Sequence, residues 1–182
     1  MVRETVELLN DRRSALAYEL SGDDLAEILR QRHAAGAEKR QVVLSVTNRF
    51  AGQLDNVRGN LAGLILGNVV DNAIAATPAG QSVQVFLQVA TTSNMLQADV
   101  VDSGSGMPAA LCEHLFEPGC SGRPGGTGLG LALSRLLARQ IDGDLTLITT
   151  SAAGSHFRLT VPLSAQRTAI DMEKAGASGS PK

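Results

Sequence analysis

Three short segments rich in glycine or asparagine follow one another in a fixed order, and they constrain this 182-residue chain more than anything else in it. The first is Asn68-Val69-Val70-Asp71-Asn72, whose two asparagines are four apart and so share one face of a helix. The second is Asp102-Ser103-Gly104-Ser105-Gly106, a carboxylate at the end of an apolar strand with a permissive turn behind it. The third is Gly125-Gly126-Thr127-Gly128-Leu129-Gly130-Leu131-Ala132-Leu133, a run of free backbone N–H groups opening a helix. Amide oxygens, a lone carboxylate and a helix N-terminus are ligands for Mg²⁺, an adenine edge and phosphates respectively, so the order describes a nucleotide site.

The rest of the composition narrows the partners. A net charge of −2 with one Tyr, four Phe and no Trp provides neither a basic face nor a stacking platform for nucleic acid. Cys112 and Cys120 lack the C-x-x-C spacing of a zinc or redox motif, which points to a reducing, cytoplasmic setting. The charged start Met1-Val2-Arg3-Glu4 is unlike a signal peptide. The most apolar run, Leu61 to Val70, is roughly half of a membrane span and holds Asn68, so no membrane contact is expected.

Periodicity lays out the elements. A helix is expected over about residues 2 to 19, with Val6, Leu9, Ala15, Leu16 and Leu20 as an incomplete apolar stripe. Ser21-Gly22-Asp23-Asp24 reads as a cap for a second helix carrying Leu25, Ile28 and Leu29, followed by a strand from Gln41 to Thr47. Asp55 caps a long helix through Ala76, with Leu61, Leu64, Ile65 and Val69 as its buried stripe. Alternating strands follow at Ser82–Thr91, with Val83, Val85, Leu87 and Val89 on one face, and at Met95–Asp102. Period-two alternation puts Asp102 on the side of Leu96, Ala98 and Val100; an inward carboxylate needs a hydrogen-bond donor, since leaving it unpaired costs roughly several kcal/mol. A short helix near Pro108–Leu115 leads into the glycine-rich loop from Phe116 to Gly126, which reads as a lid. From Gly128 a helix carries Leu129, Leu133, Leu136, Leu137 and Ile141 on one stripe. Strands at Asp144–Thr149 and His156–Pro162 close the core, and residues 164 to 182 read as a disordered tail.

This ordered set resembles the ATP-binding catalytic domain of sensor histidine kinases, within the Bergerat-fold group that includes type II topoisomerases, mismatch-repair ATPases and heat-shock chaperones. Asn68 to Asn72 is similar to the N box, Asp102 to Gly106 to the first glycine box, Phe116-Glu117-Pro118 to the F box, Thr127 to Leu133 to the second glycine box, and Gly154 to Phe157 to the third. The resemblance covers residues 22–163, leaving 1–21 as a helical segment, a possible remnant of a phosphoacceptor hairpin. It implies an α/β two-layer sandwich, a mixed sheet with helices on one face and a glycine-rich ATP lid. It further implies ATP and Mg²⁺ as ligands, a phosphoacceptor histidine domain from the parent chain or a dimer partner, and a response regulator downstream.

Carried over by residue, the resemblance gives Asp102 the adenine amino group, helped by Ser155, while Gly104 and Gly106 shape the turn. Asn68 coordinates Mg²⁺ and takes part in catalysis; Asn72 and the backbone from Gly126, Thr127, Gly128 and Leu129 to Gly130 hold the phosphates. Arg123 either reaches the γ-phosphate or is an ordinary solvated loop arginine. Three departures stand out. None of His33, His114 and His156 has the acidic and prolyl neighbours of a phosphoacceptor, and His156 reads as a surface imidazole. Leu64 stands where ATP-hydrolysing relatives have a glutamate base, which disfavours fast hydrolysis. Ala75 replaces a basic residue common in the family. A stand-alone regulatory module of the anti-sigma-factor serine kinase type is the alternative reading.

Overall fold

The computed structural model describes residues 19–90, 94–120 and 127–163. The expected helix over residues 2 to 19 lies outside them except for Glu19, as do the turn residues Thr92 and Ser93, the lid from Ser121 to Gly126 and the tail. Glu19 and Leu20 belong instead to a short strand, β1 (Glu19–Ser21), which pairs antiparallel with β3 (Gln53–Asp55).

Ser21 caps helix α1 (Gly22–Lys39) through a reciprocal box: its hydroxyl accepts from the Asp24 N–H at 3.1 Å, while the Asp24 carboxylate accepts from the Ser21 N–H at 3.0 Å. Strand β2 (Val43–Asn48) begins two residues later than expected, because Gln41 takes a left-handed φ of 57° to turn the chain out of α1. Asp55 caps α2 (Asn56–Ala76) by accepting from the Arg58 N–H at 2.9 Å. Its far end stops at Thr77, whose hydroxyl donates to the Ala73 carbonyl at 2.8 Å, and Arg40 donates to the carbonyls of Ile74 and Ala75.

A five-stranded sheet runs in the order β2-β4-β5-β7-β6, comprising β4 (Ser82–Val89), β5 (Met95–Asp102), β6 (Asp144–Ser151) and β7 (Gly154–Pro162) with β2. The β2–β4 pair is parallel and the others are antiparallel, so the sheet is mixed. Helices α1, α2 and α4 (Gly130–Gln140) accompany it, with the five-residue α3 (Ala109–Glu113) after β5. The core lies between the sheet and the helices: Leu25 and Leu29 of α1, and Ile65, Leu66, Val69 and Val70 of α2, meet Val83, Val85, Leu87, Leu96, Val100 and Leu159. Each of these aliphatic side chains contributes roughly 1.5–3 kcal/mol by leaving water.

Three apolar assignments need correction. Val89 is 43 % exposed at the end of β4, where the sheet runs past its helical cover. Leu64 is 46 % exposed, because the inward face of α2 is carried by Ile65, Leu66 and the small residues Ala62 and Gly63. One stripe of leucines at α4 faces outward: Leu129, Leu133 and Leu136 are each more than half exposed, while Ser134, Ala138 and, beyond the helix, Ile141 are buried and Leu131 and Leu137 pack half-buried against the core. Small side chains let α4 approach α2 closely, so volume rather than hydrophobicity chose the buried face.

Candidate functional site

The carboxylate of Asp102 ends β5 on the inward face, 6 % exposed. Its Oδ1 accepts from the Gly104 N–H at 2.8 Å and from the Ser155 N–H at 3.2 Å. Among the described residues no donor reaches Oδ2. Burial pushes the Asp102 carboxyl above its usual range, only partly offset by the two backbone N–H groups. Gly104 has no room for a side chain: a Cβ there would sit 2.8 Å from Asp102 Oδ1 and 2.9 Å from the Ala76 carbonyl oxygen. Gly106, two residues on, packs against the Ser151 backbone.

Ser155, also 6 % exposed, stands beside Asp102, and its hydroxyl lies 3.0 Å from that of Thr150. Thr150 in turn accepts from the Met107 N–H at 3.0 Å. Thr150 was missed in the sequence, where a threonine on an ordinary strand carries no signal; only the β6–β7 pairing, which sets it opposite Ser155, brings it here.

Asn68 and Asn72, both half-buried, sit on one face of α2 as their spacing requires. The Asn68 Nδ2 donates to the hydroxyl of buried Ser134 at 2.8 Å, bringing the α4 N-terminal half against α2. Helix α4 starts at Gly130, two residues later than expected, because Gly128 takes φ +66° and crosses the backbone of Gly119 and Cys120, a path that a side chain would block. Leu129 is its N-cap and no side-chain capping bond is made among the described residues, leaving first-turn N–H groups for an anion. Thr127 Oγ1 lies 3.5 Å from the Leu129 N–H. Arg123 and Gly126 lie outside the described residues.

At the root of the lid, Phe116 lies under the Arg135 guanidinium, 4.5 Å from ring centroid to Cζ, and Arg135 grips Asp144 with two bonds of 3.0 and 3.2 Å. The histidines differ from their sequence reading in their partners. His33 is buried on α1 with Nδ1 2.8 Å from Asp71, His114 pairs with Glu117 at 3.0 Å, and His156 lies 2.6 Å from Asp99 on the face of β5 opposite Asp102.

The donor set fits a magnesium nucleotide. A buried acceptor with one open oxygen matches an amino group, an uncapped helix N-terminus matches phosphates, and a carboxamide beside it is a hard oxygen ligand of the kind Mg²⁺ accepts. No group of three or more His, Cys, Asp or Glu side chains could hold a metal ion among the described residues, so any Mg²⁺ here would share its ligands with phosphate and water.

Residues 59–165 match the family of histidine kinase-, DNA gyrase B- and HSP90-like ATPases. The sensor protein TorS of Escherichia coli K12 is 36 % identical over 101 residues, covering 54 % of this chain and 11 % of TorS. The sensor histidine kinase RcsC of Salmonella typhimurium is 32 % identical over 121 residues, covering 63 % of this chain and 12 % of RcsC. The chain thus spans only about a tenth of these relatives. In structure, the catalytic domain of the histidine kinase ThkA superposes with a TM-score of 0.69 at 20 % identity, covering 80 % of this chain and 95 % of that one. The chain therefore belongs to the family of histidine kinase-, DNA gyrase B- and HSP90-like ATPases.

Proposed function

We propose that this domain binds Mg-ATP and donates the γ-phosphoryl group to a histidine on a phosphoacceptor domain outside residues 22–163, in a cytoplasmic two-component pathway that ends at a response regulator. The observation that carries the reading is Asp102, a buried carboxylate with one oxygen held by two backbone amides and the other without a donor among the described residues. An adenine amino group supplies that donor. Ser155 and Thr150 line the same corner, the N-terminus of α4 takes the phosphates with Asn72 and Thr127, and Asn68 holds Mg²⁺, which when bound offsets charge on the transferring and leaving phosphate oxygens. Arg123, outside the described residues, is the candidate cation for the γ-phosphate. The attacking imidazole nitrogen forms a bond to γ-phosphorus as the bond to ADP breaks, so this chain contributes positioning and charge, and no protein base is needed at Leu64.

The exposed leucines at α4 support a helical partner: Leu129, Leu133 and Leu136 present an apolar strip that starts at the phosphate end and runs about two turns along the helix. The test incubates the chain with radiolabelled ATP, with and without an added histidine-bearing hairpin. Acid-labile label on the hairpin is expected, and no label on the chain alone. Acid-stable label on a serine of a partner would favour the regulatory serine kinase, and label on this chain alone would defeat the proposal. Calorimetry should give ADP an affinity in the micromolar to millimolar range, roughly 4–8 kcal/mol, and no comparable affinity for GDP.

A further inference from the structure

Ser134 is the only polar side chain on the buried face of α4. A buried hydroxyl requires a partner, and this one takes its hydrogen bond from Asn68, 66 residues earlier. One turn before Ser134, the α4 backbone closes on the same amide: a Cβ on Gly130 would lie 2.9 Å from Asn68 Oδ1 and 3.1 Å from Nδ2. The carboxamide is therefore held between Gly130 and Ser134, with little space to move sideways.

A carboxamide can still turn over about its last torsion, exchanging oxygen and nitrogen at little cost, and only the oxygen ligates a hard cation. With Nδ2 engaged by Ser134, Oδ1 remains available on the side of the uncapped helix start. We propose that Ser134 is a positioning residue that holds the Asn68 amide oxygen toward Mg²⁺ and so ties the metal ligand on α2 to the phosphate-binding helix α4. This rests on the reading of Asn68 as the metal ligand. Ser134 touches neither metal nor nucleotide; it acts through Asn68, in the way that outer partners orient ligands at other metal sites.

The experiment measures ATP affinity by calorimetry with Mg²⁺ and with EDTA, for the full chain and for S134A, N68A and the double variant, with folding followed by circular dichroism. Mg²⁺ should strengthen ATP binding to the unaltered chain. In S134A that enhancement should fall about 10-fold while Mg²⁺-free affinity stays within about twofold. N68A should abolish the enhancement, and adding S134A to it should change nothing further. Should S134A fail to fold, S134C, close in volume but a weak hydrogen-bonding group, should lose an intermediate share. Equal losses with and without Mg²⁺ in the folded serine variant would reduce Ser134 to packing and overturn the proposal, as would an undiminished enhancement. An enhancement that survives N68A would instead remove Asn68 as the ligand, taking the reading and the proposal together.

Discussion

Strand β5 carries two buried aspartates three residues apart, on opposite faces of the sheet, and their surroundings are opposite too. Asp99 is closed within the chain: Arg158 Nε donates at 2.7 Å, Gln97 Nε2 at 2.8 Å, and His156 Nε2 lies at 2.6 Å. Burial alone would raise its carboxyl, but these hydrogen bonds and the charge of Arg158 bring it below the usual range. Among the described residues Asp102 meets only two backbone N–H groups, both on one oxygen, and burial prevails. A buried carboxylate whose partners are all side chains of its own fold is finished as structure. One left half-satisfied is held ready for something else, at a cost to the empty fold.

The largest effect should come from Asp102→Asn. The carbonyl oxygen of Asn can still accept from Gly104 and Ser155, but its NH2 group now faces the adenine amino group, donor against donor. ADP affinity should fall by about 100-fold or more, roughly 3 kcal/mol for two mismatched polar groups, while the melting temperature stays level or rises. Calorimetry and thermal unfolding read the two quantities; weakened folding without lost binding would reverse the roles assigned to the two aspartates.

Next in size is Asp99→Ala, which strands Arg158 and His156 on the sheet. Because Arg158 is about a third exposed, the loss should be about 2 kcal/mol in urea unfolding rather than the larger figure for a wholly buried pair, and ADP affinity should change less than about twofold. The pH dependence separates the pair further. With its folded pKa lowered, Asp99 adds stability that is present above the ordinary carboxylate value and lost as pH falls through the folded one. With its folded pKa raised, Asp102 does the reverse: stability declines as pH climbs from the ordinary value through the folded one, and the deficit persists above it. Unfolding from pH 3 to 7 should therefore show Asp99→Ala converging on the unaltered chain at the acid end, and Asp102→Asn gaining on it toward neutrality.

The smallest effect on stability should be that of Leu133→Gln. This side chain is 53 % exposed, so urea unfolding should move by less than about 0.5 kcal/mol and ADP affinity by nothing measurable, whereas labelling of an added hairpin should drop. A loss of stability like that of Asp99→Ala would mean that the leucine strip is core after all.

Much of this was legible from local pattern. The helix bounds at Asp55 and Thr77 follow from a capping carboxylate and a stop before Pro78, and the inward turn of Asp102 follows from counting by two along β5. The same counting placed His156 on the outer face, but nothing local names Asp99 as its partner, since the two are 57 residues apart and meet only because β5 and β7 lie side by side.

What the sequence by itself determined is the order of the boxes, the α/β character, and which residue of each strand or helix shares a face with which. Those depend on backbone period and on the conformations glycine, proline and capping side chains permit, all within a few residues. Only the tertiary structure decided which face of α4 is buried, which oxygen of Asp102 is left open, and that Ser134 should meet Asn68. Hydrophobic periodicity favours Leu129, Leu133 and Leu136 for the core, yet the fully buried positions of α4 are Ser134 and Ala138, with Leu131 and Leu137 only half-buried beside them. Side-chain volume at a contact between distant segments is a property of both surfaces together, and no stretch of one chain segment contains it.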